Sequence, residues 1–107
     1  MIEIKKEKDN TYQFHLKTTG GRVLLKSVHF STKADVEKVV TNLSPLMENQ
    51  SVFERKTNHN GKFLFKLKDS AGRIIGNSQL YGSEAGMENG IKNLKNRIAS
   101  LPLTNNL

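Results

Sequence analysis

The 107-residue sequence predicts an α+β fold. It reads as a tandem duplication of a βββα unit, with an antiparallel sheet, helices packed on one side and a pseudo-twofold relation between the copies. Three observations lead there. Shifted by 51 positions, residues 2–43 fall on 53–94 without a gap. Twelve of the 42 pairs are identical, among them Phe14/Phe65, Leu16/Leu67, Gly21/Gly72, Ser27/Ser78, Ala34/Ala85 and Leu43/Leu94. Chance supplies about two or three, so an internal repeat is present. Each copy also holds a segment of strict apolar/polar alternation, and each closes on an apolar stripe of helical period.

The elements follow in order. Ile2–Glu7 and Phe53–Thr57 are short, charged and strand-like. Asp9-Asn10 and Asn60-Gly61 suit tight hairpins, because Asn and Gly tolerate positive φ. Tyr12, Phe14 and Leu16, and Phe63, Phe65 and Leu67, alternate with residues of the opposite face. The turns TTGG (18–21) and DSAG (69–72) lead into third strands near 22–30 and 73–81. These are apolar on both faces at Val23-Leu24-Leu25 and Ile74-Ile75, so their parity is open. Thr32 and Ser83 are equivalent N-caps. Val36, Val40, Leu43 and Met47 form one helical stripe, and Met87, Ile91, Leu94 and Ile98 repeat it 51 residues later. Pro45 should end or kink the first helix, whereas the second can run towards Leu101. Residues 48–52 read as a linker. Residues 1–50 and 51–107 are thus two repeats sharing one compact domain, since a lone unit of about 50 residues buries too little surface to be comfortable. A monomer with an internal pseudo-dimer is expected.

The net charge is +7 and the mean hydropathy −0.54. No apolar run approaches the roughly 20 residues a bilayer helix needs, so no membrane partner is expected. MIEIKKEKDN is charged from its third residue and lacks the apolar core of a secretory signal. Without cysteine there are no disulfides, thiolate metal sites or thiol catalysis. A cytoplasmic protein is the simplest expectation.

The run FLFKLKDSAGRIIGNSQLYGSEAGMENGIKNLK (63–95) resembles the YegP-like family of small bacterial domains of unknown function. The likeness rests on Phe63, Phe65, Leu67, Lys68, Gly72 and Ser78. It continues through Tyr81, Ser83, Ala85, Gly86, Glu88, Asn89, Gly90 and Ile91. It implies the tandem βββα arrangement and brings no established activity. The first copy keeps Gly21, Arg22, Ser27, Phe30, Thr32 and Ala34, but has Asp35, Val39 and Val40 where Gly86, Gly90 and Ile91 stand. A function resting on the glycines would reside in one half.

Catalytic, cofactor and metal sites are not indicated. His15, His29 and His59 are scattered without a ligand motif. No nucleophile elbow is present, and Glu84 and Glu88 form an ordinary i, i+4 pair on a solvated helix face. Gly82, Gly86 and Gly90 match neither phosphate-binding nor dinucleotide patterns. Gly86 and Gly90, together with Ser78, Tyr81, Ser83 and Asn89, read as motif and close-packing positions. A candidate basic binding face carries His15, Lys17, Lys66 and Lys68, with Arg55 and Arg73 nearby. The expected role is a non-enzymatic interaction domain that binds another protein. The alternative is weak, sequence-blind nucleic-acid binding, because the aromatics have inward parity and cannot stack bases.

Overall fold

The computed structural model describes residues 2–49 and 52–100. The elements are β1 (Ile2–Lys6), β2 (Tyr12–Lys17), β3 (Val23–Ser27), α1 (Lys33–Thr41), α2 (Leu43–Leu46), β4 (Phe53–Thr57), β5 (Phe63–Lys68), β6 (Ile74–Ser78) and α3 (Glu84–Ala99). The strands form one sheet in the order β1-β2-β3-β6-β5-β4, and every neighbouring pair is antiparallel. The fold is therefore α+β, built on a six-stranded antiparallel sheet.

Local chemistry sets the turns. Asn10 and Gly61 take positive φ, 65° and 75°, between the strands of the two outer hairpins. The Asn58 side-chain oxygen accepts from the N–H groups of Asn60 and Lys62, at 2.9 and 3.0 Å. Between the second and third strand of each half, Gly21 (φ 87°) and Gly72 (φ 85°) occupy the left-handed region that a side chain makes costly.

The alternating strands bury one face. Phe14, Leu16, Leu25, Phe65 and Leu67 join Val36, Val40, Leu43, Met87, Ile91, Leu94 and Ile98 in a single core between sheet and helices. The Thr32 hydroxyl accepts from the Asp35 N–H at 3.1 Å, and the Ser83 hydroxyl accepts from Gly86 at 3.0 Å, fixing where α1 and α3 begin. The first helix breaks earlier than Pro45. It stops at Thr41, pauses at Asn42 (φ −92°, ψ 3°) and resumes as α2. The proline ring crowds the carbonyl four residues before it, which is that of Thr41. The helix α3, with Asn96 in the matching position, continues unbroken to Ala99; Leu101 and the six residues after it lie outside the described residues.

Two expectations are corrected. Val52, read as linker, is buried in the core, and its N–H donates to the Asn49 carbonyl; Gln50 and Ser51 lie outside the described residues. The third strands end at Ser27 and Ser78 instead of running to 30 and 81. Beyond each, a side chain takes over a backbone role. The Ser27 hydroxyl accepts from the Phe14 N–H at 2.8 Å and donates to the Val28 carbonyl at 2.7 Å. Ser78 does the same with Phe65 (2.9 Å) and Gln79 (2.7 Å). Phe30 and Tyr81 then rejoin the ladder opposite Tyr12 and Phe63. The open parity of the third strands is settled by a register shift between Leu16 and Lys17, and again between Leu67 and Lys68. It leaves Leu24 and Leu25 both buried, and likewise Ile75 and Gly76. The inward partners of Leu16 and Leu67 are Leu25 and Gly76, so Lys26 and Asn77 face out.

Candidate functional site: the outer face of the sheet

The inward row supplies the core, so its alternates form the other face. One register row crosses all six strands there: Glu3, His15, Lys26, Asn77, Lys66 and Glu54. Lys5, Lys17, Lys56 and Lys68 flank it. Six lysines thus share the face with two glutamates, and the acids sit on the edge strands β1 and β4.

The ion pairs are confined to the margins. Glu3 bridges to Lys5 (3.1 Å) and Lys17 (3.4 Å), and Glu54 to Lys68 (2.7 Å) and Lys56 (3.5 Å). Hydrogen bonds from Lys5 and Lys17 hold the Glu3 carboxyl below its ordinary pKa. The bond from Lys68 does the same, foremost, for Glu54. At the centre, Lys66 donates to the Asn77 side-chain oxygen at 2.9 Å. Among the described residues no carboxylate pairs with Lys26 or Lys66. His15 is partly buried, its Nε2 3.2 Å from Gln13 Oε1. Burial first, then repulsion from Lys5, Lys26 and Lys17, holds its imidazole below the usual histidine pKa, with Glu3 opposing. Gln13 is itself tied down, donating to the Ser27 carbonyl at 2.8 Å.

Of the residues expected on a basic face, the structure brings His15, Lys17, Lys66 and Lys68 together. It places two elsewhere. Arg55 pairs with Phe65, so it points to the helix side, where its guanidinium grips both carboxylate oxygens of Glu88, one of them at 2.9 Å. Glu88 thus belongs to a bidentate ion pair rather than a free helix face, and the Arg55 bond holds its pKa below the ordinary value. Arg73 lies in the β5–β6 turn, exposed and bonded to Asp69 at 2.9 Å. Lys26 and Asn77 were missed, because parity was unreadable on a strand apolar on both faces. Their signal is the register row itself.

The motif positions lie on the helix side. The Tyr81 ring stacks on Phe65, with centroids 6.4 Å apart and planes 18° apart. It covers the surface that Gly86 and Gly90 leave bare: a β-carbon on Gly90 would overlap the tyrosine hydroxyl and stand 2.5 Å from Cζ. Ser78 splices the ladder, Ser83 caps α3, and Asn89 is exposed on that helix.

Two features had no sequence signal. A cleft of about 420 Å³ lies between Thr18, Leu24 and the last turns of α3, lined by Asn93, Asn96, Arg97 and Ser100. A hydrogen-bonded chain runs from Asp9 through the Thr11 hydroxyl (2.5 Å) to His29 Nδ1 (2.7 Å), exposed and apart from the lining of that cleft. Among the described residues no group of three His, Asp or Glu converges to hold a metal, and no helix is long and apolar enough to cross a membrane.

Residues 58–102 match the family model described as "Domain of unknown function (DUF1508)". The chain is 36% identical to UPF0339 protein YegP of Shigella flexneri, over 88% of this chain and 86% of that protein. It is 34% identical to a UPF0339 protein of Pseudomonas aeruginosa over the same shares. The solution NMR structure of yegP from E. coli superposes with a TM-score of 0.85 at 34% identity, covering 92% of this chain and 85% of that one. That of a UPF0339 protein from Shewanella oneidensis gives 0.86 at 27% identity, covering 97% and 85%. With sequence likeness over most of its length and the same sheet-and-helix fold, the chain belongs to the UPF0339 (YegP-like) family.

Proposed function

We propose that the protein is a non-catalytic binding module that docks an acidic protein surface on the outer face of its sheet. The observation that carries this reading is the composition of that face. Six lysines and a histidine stand across the strands, the two central lysines without a carboxylate partner among the described residues, and the acids are confined to the edges. Such a field steers and holds an acidic partner. Nucleic acid is the weaker reading, because among the described residues no Phe, Tyr or Trp ring stands on this face to stack a base.

The same reading includes a tandem duplication with a pseudo-twofold axis through the sheet centre. It is supported by register. Ile2↔Leu16 to Lys6↔Tyr12 recurs 51 residues later as Phe53↔Leu67 to Thr57↔Phe63. At the seam, Leu25↔Ser78 and Ser27↔Gly76 exchange under the same shift, leaving Lys26↔Asn77 on the axis.

The test is titration of the 15N-labelled protein with an oligoglutamate peptide at low salt, for wild type and Lys26→Glu/Lys66→Glu. Shifts confined to the outer face, lost in the double variant with its melting temperature kept, are expected. Absence of binding, or shifts confined to the helix side, overturns the proposal.

A further inference from the structure

The row across the outer face is not electrically symmetric. On the β5 side the position beside the seam is Lys66; on the β2 side the matching position, 51 residues earlier, is His15. Between them stand Lys26 and Asn77, and beyond them Glu3 and Glu54 close the row at both edges. His15 and Lys66 are three strand spacings apart, about 14 Å at ~4.8 Å per strand. That equals about four residues of extended chain at ~3.3 Å each.

We infer that an extended acidic peptide segment, lying across the strands on His15, Lys26 and Lys66, binds together with one proton that His15 takes up. The inference rests on the outer-face reading above. The edge glutamates limit the length of the site: a short acidic segment fits between them, whereas a long polyanion running off the sheet meets a carboxylate at either end. Without a ligand, burial first and then three cations resist protonation of His15: Lys5 from β1, Lys26 from β3 and Lys17 from its own strand. Only Glu3 favours it. A ligand carboxylate laid over Lys26 adds a second favouring charge and offsets that repulsion. By reciprocity, whatever raises the proton affinity of His15 on binding makes binding tighter on acidification. Gln13, tied to the Ser27 carbonyl, holds the ring at Nε2 and so fixes its place in the row.

The experiment measures the affinity of a hexaglutamate peptide at constant ionic strength, at about pH 5.5 and about pH 7.5, either side of the ordinary histidine range. Wild type, His15→Gln and His29→Gln are compared. Wild type and His29→Gln are expected to bind about two- to fivefold tighter at the lower pH, the scale of one exposed charge pair. His15→Gln is expected to bind equally at both. An affinity that does not change with pH in wild type, or a pH dependence that survives in His15→Gln, overturns the proton linkage and leaves the face reading standing. No binding at either pH overturns both. Displacement of the peptide by a hexathymidylate at lower concentration identifies nucleic acid as the occupant and overturns the peptide.

Discussion

The two halves of the molecule share a grammar and differ where they meet their surroundings. Both keep the positive-φ glycine (Gly21, Gly72), the hydroxyl cap (Thr32, Ser83) and the serine that replaces a strand carbonyl (Ser27, Ser78). They part at the seam, where Leu25 stands in one half and Gly76 in the other, and on the helix side, where Phe30 and Val39 answer to Tyr81 and Gly90. A third difference is electrostatic: Glu37 and Glu88 match, but Ile4 in the first half stands where Arg55, bonded to Glu88, stands in the second. Backbone requirements are common to both halves. At the seam the halves are complementary in volume, Leu25 facing the bare Gly76, whereas the Tyr81–Gly90 and Arg55–Glu88 pairs are each made within the second half.

Making the halves alike should therefore cost stability in proportion to how little the neighbourhood can give. The largest effect is expected for Gly76→Leu, which copies Leu25. A β-carbon there would stand 2.8 Å from the Lys26 backbone oxygen, 3.1 Å from Ser27 Cα and 3.3 Å from Leu25 Cγ, and a central strand cannot step aside. A loss of about 3 kcal/mol in urea unfolding is expected. Leu25→Gly/Gly76→Leu, which exchanges the two sides, should recover part of it. Equal stability of Gly76→Leu and wild type would show that the seam does not require one large and one small residue.

Next comes Gly90→Val, which copies Val39. The obstacle is a tyrosine ring, which can swing away, so about 1–2 kcal/mol is expected, with loss of the Tyr81–Phe65 stacking and partial rescue by Tyr81→Phe. A variant as stable as wild type with unchanged Tyr81 resonances would remove the packing role of this glycine.

The smallest effect belongs to Arg55→Ile, which copies Ile4. The ion pair is exposed on both sides, so the change at neutral pH should be under about 1 kcal/mol. Its sharper readout is pH. The folded-state pKa of Glu88 is lowered, so the pair's contribution is complete above the ordinary glutamate range and fades as pH falls through the lowered value. The wild-type advantage over Arg55→Ile should shrink across that acid window. A difference that stays constant with pH would place the effect in packing instead.

Much of the fold was legible because its causes are local. Phe14 and Leu16 alternate with polar residues, Asn10 and Gly61 mark turns, and Thr32 and Ser83 announce helices within a few residues of where they act. Arg55 was not legible: β4 is a five-residue edge strand with charges on both faces, and only pairing with Phe65 assigns its side. The outward place of Lys26 depends on a register shift one strand away, which no pattern within β3 reveals. The cover that Tyr81 lays over Gly90 joins residues nine positions apart through the return of the chain from sheet to helix, so spacing alone suggested close packing without naming the ring. The candidate face was therefore half readable: its flanks came from alternation, its centre from topology.

The seam also carries the largest loop-closure cost in the sheet. Four of the five strand pairs are hairpin neighbours joined by short turns, and local pairing of this kind forms early and at little entropic cost. The pair β3–β6 brings together residues separated by about 50 positions, a closure costing about 3.5 kcal/mol in the length-dependent part of its entropy. It is secured by three register pairs. Each three-stranded meander pairs locally, but the single core that stabilises both is completed only when the centre closes. The narrow junction of Leu25, Lys26 and Ser27 with Ser78, Asn77 and Gly76 is the strand pairing through which the two halves of the sheet join.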